Sequence, residues 1–248
     1  MKVYTNAPRL KRYQRIATIT LFGGMAVLAL SIILSFRPQY VNLAWLLAFV
    51  GLGIATIGSY YVNRWLRRPM PDEVLAQVLK RLDKRHVLYN YFEPVRHLLL
   101  TPSGLVVLHA RRYEGKAECV DGQWRGKRGI WRIYTRGLTA ENLGNPTAEA
   151  RQAVEAVREW LRRHNPEIAD AVDVDAVVVF INPDEVELRM TGECGDVPVV
   201  FPKQVRAVLN KQVLPKMRTL NGQTYMALKE TLDKAFNVHM LENLGEEA

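Results

Sequence analysis

Two long uncharged runs fill most of the first 63 residues, Ile16 to Phe36 and Pro38 to Asn63, with only Arg37 between them. At about 1.5 Å per residue the 21 residues of the first run reach roughly 31 Å as a helix, close to the roughly 30 Å hydrocarbon core of a bilayer. The second run, 26 residues, is long enough to cross with a tilt. A chain that begins this way is expected to place a two-helix hairpin in a membrane, turning at Arg37-Pro38-Gln39-Tyr40-Val41-Asn42, where proline and polar groups break the helix. A cleavable secretory signal fits poorly, because the run is too long, lacks a small-residue cleavage site and leads at once into a second span.

Charge orients the hairpin. Lys2, Arg9, Lys11, Arg12 and Arg15 precede the first run, and Arg64, Arg67 and Arg68 follow the second, with Tyr60, Tyr61 and Trp65 at the interface. Basic flanks stay in the cytoplasm, so an integral protein with two spans is expected, with both termini and everything from about residue 69 cytoplasmic. Neither run holds an ionisable residue, which leaves no group for a transport or proton-relay role. Gly51, Ala55 and Ser59 recur every four residues, a stripe able to pack the first span or a second copy of the protein.

The formal net charge of +9 resides wholly in residues 1–68, which contain nine Lys/Arg and no Asp/Glu. It therefore suits anionic lipid and by itself says nothing of nucleic acid. Residues 69–248 are neutral but polarised, with 13 basic and 5 acidic residues over 80–136 against 12 and 18 over 137–248. Cys119 and Cys194 are distant in sequence and have no metal-ligand spacing; in a cytoplasmic domain they are expected to be reduced and inert.

Residues 71–84 start with proline and acids and place Val74, Leu75, Val78, Leu79 and Leu82 on one face, predicting an amphipathic helix. Short strands follow over 86–92, 96–101 and 105–109, punctuated by Glu93-Pro94 and Thr101-Pro102-Ser103-Gly104. The Gly- and Trp-bearing stretch from Gly115 to Trp131 continues as β-structure or loop. Asn145-Pro146-Thr147 opens a helix to about His164, with Ala150, Val154, Val157, Trp160 and Leu161 inward, and 175–181 reads as a strand buried on both faces. Helices over 204–214 and 223–236 close an α/β domain with a mixed sheet, an order also found in restriction-endonuclease-like cores.

The stretch Val95-Arg96-His97-Leu98-Leu99-Leu100-Thr101-Pro102-Ser103-Gly104-Leu105-Val106-Val107-Leu108-His109-Ala110-Arg111, with Tyr113-Glu114-Gly115-Lys116, Trp124 and Asn145-Pro146 after it, resembles the nuclease-related domain called NERD over roughly residues 70–182. The resemblance implies a Mg²⁺ nuclease with acids at the positions of Arg96 and His109, a lysine at that of Arg111 and a further acid at that of Glu73. Such chemistry needs two carboxylates on the metal and a lysine near the attacking water. A guanidinium in place of a carboxylate repels the ion, so Mg²⁺ is expected only if the nuclease survives, and these four positions are read as a degenerate active site. His97 faces away from Arg96 if the strand alternates, and a Zn²⁺ site at His109 and Glu73 has little behind it. No cofactor and no catalytic residue are expected.

What such a fold retains is basic surface. Arg111, Arg112, Lys116, Arg125, Lys127 and Arg128 are the candidate nucleic-acid contacts, and Trp124 and Trp131 candidate base-stacking groups, unless these charges are a solvated rim and the tryptophans pack in the core. The leading expectation is a membrane-anchored, catalytically inactive protein whose domain binds an anionic partner, nucleic acid first. The alternatives are a scaffold at the bilayer that docks a protein partner or a second copy through the hairpin, and an active nuclease with a rebuilt metal site. Neither a Gly-x-Ser-x-Gly elbow nor a Gly-x-x-x-x-Gly-Lys phosphate loop is present.

Overall fold

A computed structural model describes residues 1–127 and 142–237 as two compact units. The first unit is a helical hairpin of α1 (Ala7–Ser35) and α2 (Val41–Trp65), joined through a 3-10 turn at Pro38–Tyr40. Both helices are long and apolar enough to cross a membrane. Their buried positions recur every seven residues: Ala17, Gly24 and Ser31 on α1, and Ala44, Gly51, Gly58 and Trp65 on α2. That spacing makes a seam of small residues through which two backbones approach. A Cβ on Gly24 would strike the Ala55 backbone, and one on Gly58 the backbone of Leu21. The small-residue stripe therefore serves the packing of α1 on α2, through Gly58 and not Ser59. The Tyr13 and Trp65 rings stack at 4.4 Å, and Gln14 donates to the Trp65 carbonyl at 3.1 Å, closing the open end. Trp45, Phe49 and Phe36 point outward.

The second unit is an α/β domain with two sheets. The larger has the order β1-β2-β3-β4-β7-β9, from β1 (Lys2–Thr5), β2 (Val87–Asn90), β3 (His97–Thr101), β4 (Gly104–Arg111), β7 (Val174–Phe180) and β9 (Val199–Val200). The β2-β3-β4 meander is antiparallel, while β4 runs parallel to β7 over Leu105 to Arg111. The smaller sheet has the order β6-β5-β8, from β5 (Gly115–Val120), β6 (Gln123–Lys127) and β8 (Val186–Thr191). Alternation along the strands sends Leu98, Leu100, Leu105, Val107, Ala176 and Val178 to one face, under α4 (Pro146–His164) and α7 (Gly222–Phe236). Leu88, Leu99, Val106, Leu108, Val177 and Val179 go to the other, under α3 (Pro71–Leu79) and the segment from α6 (Val205–Val208) through Val213. The short α5 (Pro166–Ala169) follows α4.

Three features depart from the sequence reading. Lys2–Thr5, the residues ahead of the first span, form a parallel edge strand on β2, with the Lys2 N–H donating to the His86 carbonyl at 3.0 Å and that of Asn6 to the Asn90 carbonyl at 3.2 Å. Tyr4 packs with Tyr89 and Phe236 at ring separations of 5.8 and 6.5 Å, so Met1–Asn6 group with the domain and not with the hairpin. Cys119 and Cys194 are joined in a disulfide, Cα to Cα 6.0 Å, contrary to the expectation of two unpaired thiols. The cause is the parallel pairing of β5 with β8, which closes a separation of 75 residues. The 204–214 helix is broken: it is regular only over Val205–Val208, then passes through a π-turn and a 3-10 turn at Leu214–Lys216 that contains Pro215.

Candidate functional site

His109 and Arg111 extend the inward row of β4 beyond Leu105 and Val107, so both emerge on the side covered by α4. The helix starts there because Asn145 caps it, its side chain accepting from the Ala148 N–H at 3.0 Å, and Pro146 occupies the first turn. That same turn presents Glu149. Arg111 Nη2 donates to Glu149 Oε1 at 2.5 Å and to the Leu143 carbonyl at 3.0 Å. His109 Nε2 lies 3.6 Å from Glu149 Oε2, too long for a hydrogen bond but close enough for attraction. The His109 imidazole and the Arg111 guanidinium hold the Glu149 carboxyl below the usual carboxylate range against the opposing cost of burial. His109 Nε2 and Arg111 Nε are buried with no hydrogen-bond partner among the described residues. Glu149 is the residue that sequence reasoning missed; an acid in the first turn behind an Asn-Pro cap reads as helix-start chemistry alone.

A second polar cluster lies at the β2-β3 turn. The buried Tyr91 hydroxyl donates to Asp72 Oδ1 at 2.9 Å. Burial pushes its pKa up, the charges of Asp72 and Glu73 add to this, and Arg96 opposes it. Glu73 and Arg96, two of the four site positions expected from the sequence, thus act on the same hydroxyl. His97 is 2% exposed, on the α3 side with Leu88 and Leu99, and its Nδ1 pairs with Asn90 Oδ1 at 2.8 Å. Asn90 Nδ2 donates onward to Thr5 Oγ1 at 3.2 Å. Burial, then the charges of Arg96 and His109, lower the His97 pKa to about 3, so the ring is neutral.

These residues do not fit Mg²⁺. The ion takes oxygen ligands in near-octahedral geometry, whereas both oxygens of Glu149 face cationic or imidazole nitrogen. Among the described residues no three His, Cys, Asp or Glu side chains come together at metal-binding spacing.

The other basic residues lie elsewhere, on the outer face of the small sheet. The register places Lys127, Lys116 and Glu187 in one cross-strand row and Arg125, Glu118 and Arg189 in the next. Four cations therefore share two acids, with Lys116 Nζ to Glu187 Oε2 at 3.1 Å, Arg189 Nη2 to Glu187 Oε1 at 2.6 Å and Lys127 Nζ to Glu118 Oε2 at 3.6 Å. Arg189 is absent from the sequence candidates, because its strand has no clear local signal. Arg111 is engaged with Glu149, Arg112 is half-buried, and Arg128 and Trp131 lie outside the described residues. Trp124 faces inward, donating from Nε1 to Thr147 Oγ1 at 3.1 Å with its ring 6.4 Å from Phe180, so it packs on the core and is not presented for stacking.

Residues 70–181 match the family model of the nuclease-related domain, NERD. No curated protein and no solved structure matches the chain.

Proposed function

Since the chain carries a nuclease-related domain over residues 70–181, we propose that it is a membrane-anchored, non-catalytic member of this group whose domain holds nucleic acid against the outer face of the β6-β5-β8 sheet. The observation that carries this reading is the surplus of two positive charges on that face, where Lys116, Lys127, Arg125 and Arg189 stand in two rows against Glu118 and Glu187. Exposed ion pairs are worth about 0–1 kcal/mol, so phosphate oxygens can replace Glu118 and Glu187 at little cost. With Trp124 packed inward, the binding is electrostatic and independent of sequence. Loss of the Mg²⁺ chemistry is supported by Arg96 and His109 at the acid positions and by the ion pairing of Glu149.

The hairpin anchors the domain through two spans, with both basic flanks and the domain in the cytoplasm. The pairing of Lys2–Thr5 with β2 supports a common side for the N-terminus and the domain.

The test is fluorescence anisotropy of single- and double-stranded DNA and RNA with the full chain in lipid nanodiscs, over a salt series with Mg²⁺, with strand length checked on gels. Up to four cations predict a log K against log salt slope of about −2 to −3 on single strands. Cleavage would overturn the non-catalytic reading. Absence of salt-sensitive binding would leave a module that docks protein at the membrane.

A further inference from the structure

Strand β8 is weakly held. It is the edge of a three-stranded sheet, and Arg189, Met190 and Thr191 at its end are exposed, with Val186 alone fully buried. Beyond Thr191 the chain enters a tight loop. The Asp121 N–H donates to the Thr191 carbonyl at 3.2 Å, Gly192 packs on the Asp121 carboxylate, and Gly195, at φ +99°, lies against Arg151 and Thr147 of α4. Arg151 Nε donates to Asp196 Oδ1 at 2.7 Å, but the two side chains are 53% and 75% exposed. Such a pair adds little hold. The covalent tie is the Cys119–Cys194 bond, whose residues are 1% and 5% exposed, joining the middle of the sheet to a loop seated on the first turn of α4. These are the only two cysteines in the chain.

We propose that the Cys119–Cys194 pair is a redox latch for the β6-β5-β8 face, which oxidation closes into its binding-competent form. This rests on the nucleic-acid reading of that face. Reduction frees residues 192–196, lets the end of β8 fray, and removes Arg189 from its row opposite Glu118. In a reducing cytoplasm the dithiol is the resting state, and a bond formed there serves redox sensing more than permanent stapling. Closure proceeds by exchange with a small-molecule disulfide of the glutathione class. The Cys194 thiolate attacks it and expels one thiol, and Cys119 then attacks Cys194 of the mixed disulfide and expels the second. Two protein thiols lose two electrons and two protons, and the small disulfide leaves as two thiols.

The experiment equilibrates the full chain in nanodiscs across a series of reduced and oxidised glutathione. Alkylation with mass spectrometry counts free thiols, hydrogen exchange tracks residues 186–196, and anisotropy tracks a single-stranded oligonucleotide. Reduction is expected to speed amide exchange at Arg189, Met190 and Thr191 about tenfold or more and to weaken binding several-fold. Cys194→Ser should reproduce the reduced state and ignore glutathione. Exchange that stays within about twofold while the thiols are shown to be reduced overturns the latch, as does a pair that never opens across the series. A glutathione-dependent change in exchange without oligonucleotide binding in either state supports the latch and refutes the nucleic-acid reading instead.

Discussion

Replacing Glu149 by glutamine isolates the charge at the centre of the His109–Arg111 cluster, because the amide keeps the size and one acceptor oxygen. The carboxylate takes a 2.5 Å hydrogen bond from Arg111 and lies 3.6 Å from His109. A hydrogen bond to a charged group contributes about 1.5–3 kcal/mol. The Glu149 side chain is 37% exposed while that of Arg111 is 15% exposed, so solvent screening reduces the expected loss to about 1–2 kcal/mol. For a domain of this size that is a fall in Tm of about 2–8 °C. The pH dependence carries the same signature. Because the folded carboxyl titrates below its ordinary value of 4.5, its contribution is complete above pH 4.5 and disappears as pH falls through the folded value. The assay is thermal unfolding of the wild type and Glu149→Gln between pH 7 and pH 3. The variant should melt lower at pH 7, and the gap should close towards pH 3. A variant that melts within about 1 °C of wild type at pH 7, or a gap that does not change with pH, would refute the assignment of Glu149 as the counter-ion of Arg111.

Other perturbations probe the remaining elements. His97, held neutral to about pH 3 by burial, should show an imidazole NMR titration far below 6.5; its depressed pKa costs stability as pH falls from 6.5 towards 3, at up to about 1.4 kcal/mol per pH unit, and His97→Asn should remove that slope. A chain that starts at residue 69 loses the edge strand and the Tyr4 contacts with Tyr89 and Phe236, and should elute as soluble aggregate on gel filtration, whereas adding a separate Lys2–Asn6 peptide should raise the monomer fraction. Gly58→Leu places a side chain in the Leu21 backbone, so cysteines introduced at the exposed Phe22 and Ile57 in otherwise identical hairpins should report a changed helix separation by spin-label distance. An unchanged distance would mean that the small-residue seam does not set the packing. Lys116→Glu together with Arg125→Glu should reduce the salt slope of single-strand binding by about 1.4, since each lost cation removes about 0.7.

Elements with strong local patterns were legible in the sequence. The two long N-terminal helices announced themselves by length and lack of charge, α4 by its Asn-Pro cap and apolar stripe, and β7 by its β-branched run, which lies between β4 and β9. The resemblance carried by the Arg96–Arg111 strand-turn-strand is matched by the family model over residues 70–181. What escaped was whatever depends on long-range pairing. Lys2-Val3-Tyr4-Thr5 is too short and too close to a basic flank to read as a strand, and only β2, more than 80 residues later, makes it one. β8 gives a weak signal, since of its six residues only Val186 and Leu188 pack on the core. Without β8, neither the Cys119–Cys194 bond nor the place of Arg189 could be seen. At the β4-α4 site His109 and Arg111 were visible, but their acidic partner was not, because Glu149 is 38 residues from Arg111 and meets it only across the β4-α4 packing.

The edge strand also has a consequence for biogenesis. β1 precedes both hydrophobic helices in the chain, whereas its partner Val87–Asn90 is made only after them. Four residues must therefore wait unpaired while both helices are made. Should only one of the two helices cross a bilayer, Lys2–Thr5 and β2 would be parted by hydrocarbon. β2 would then be left as a bare sheet edge, of the kind that quality-control proteases and chaperones engage. Completion of the sheet thus requires that an even number of crossings separate Lys2–Thr5 from Val87–Asn90, so the pairing itself counts the passes between them.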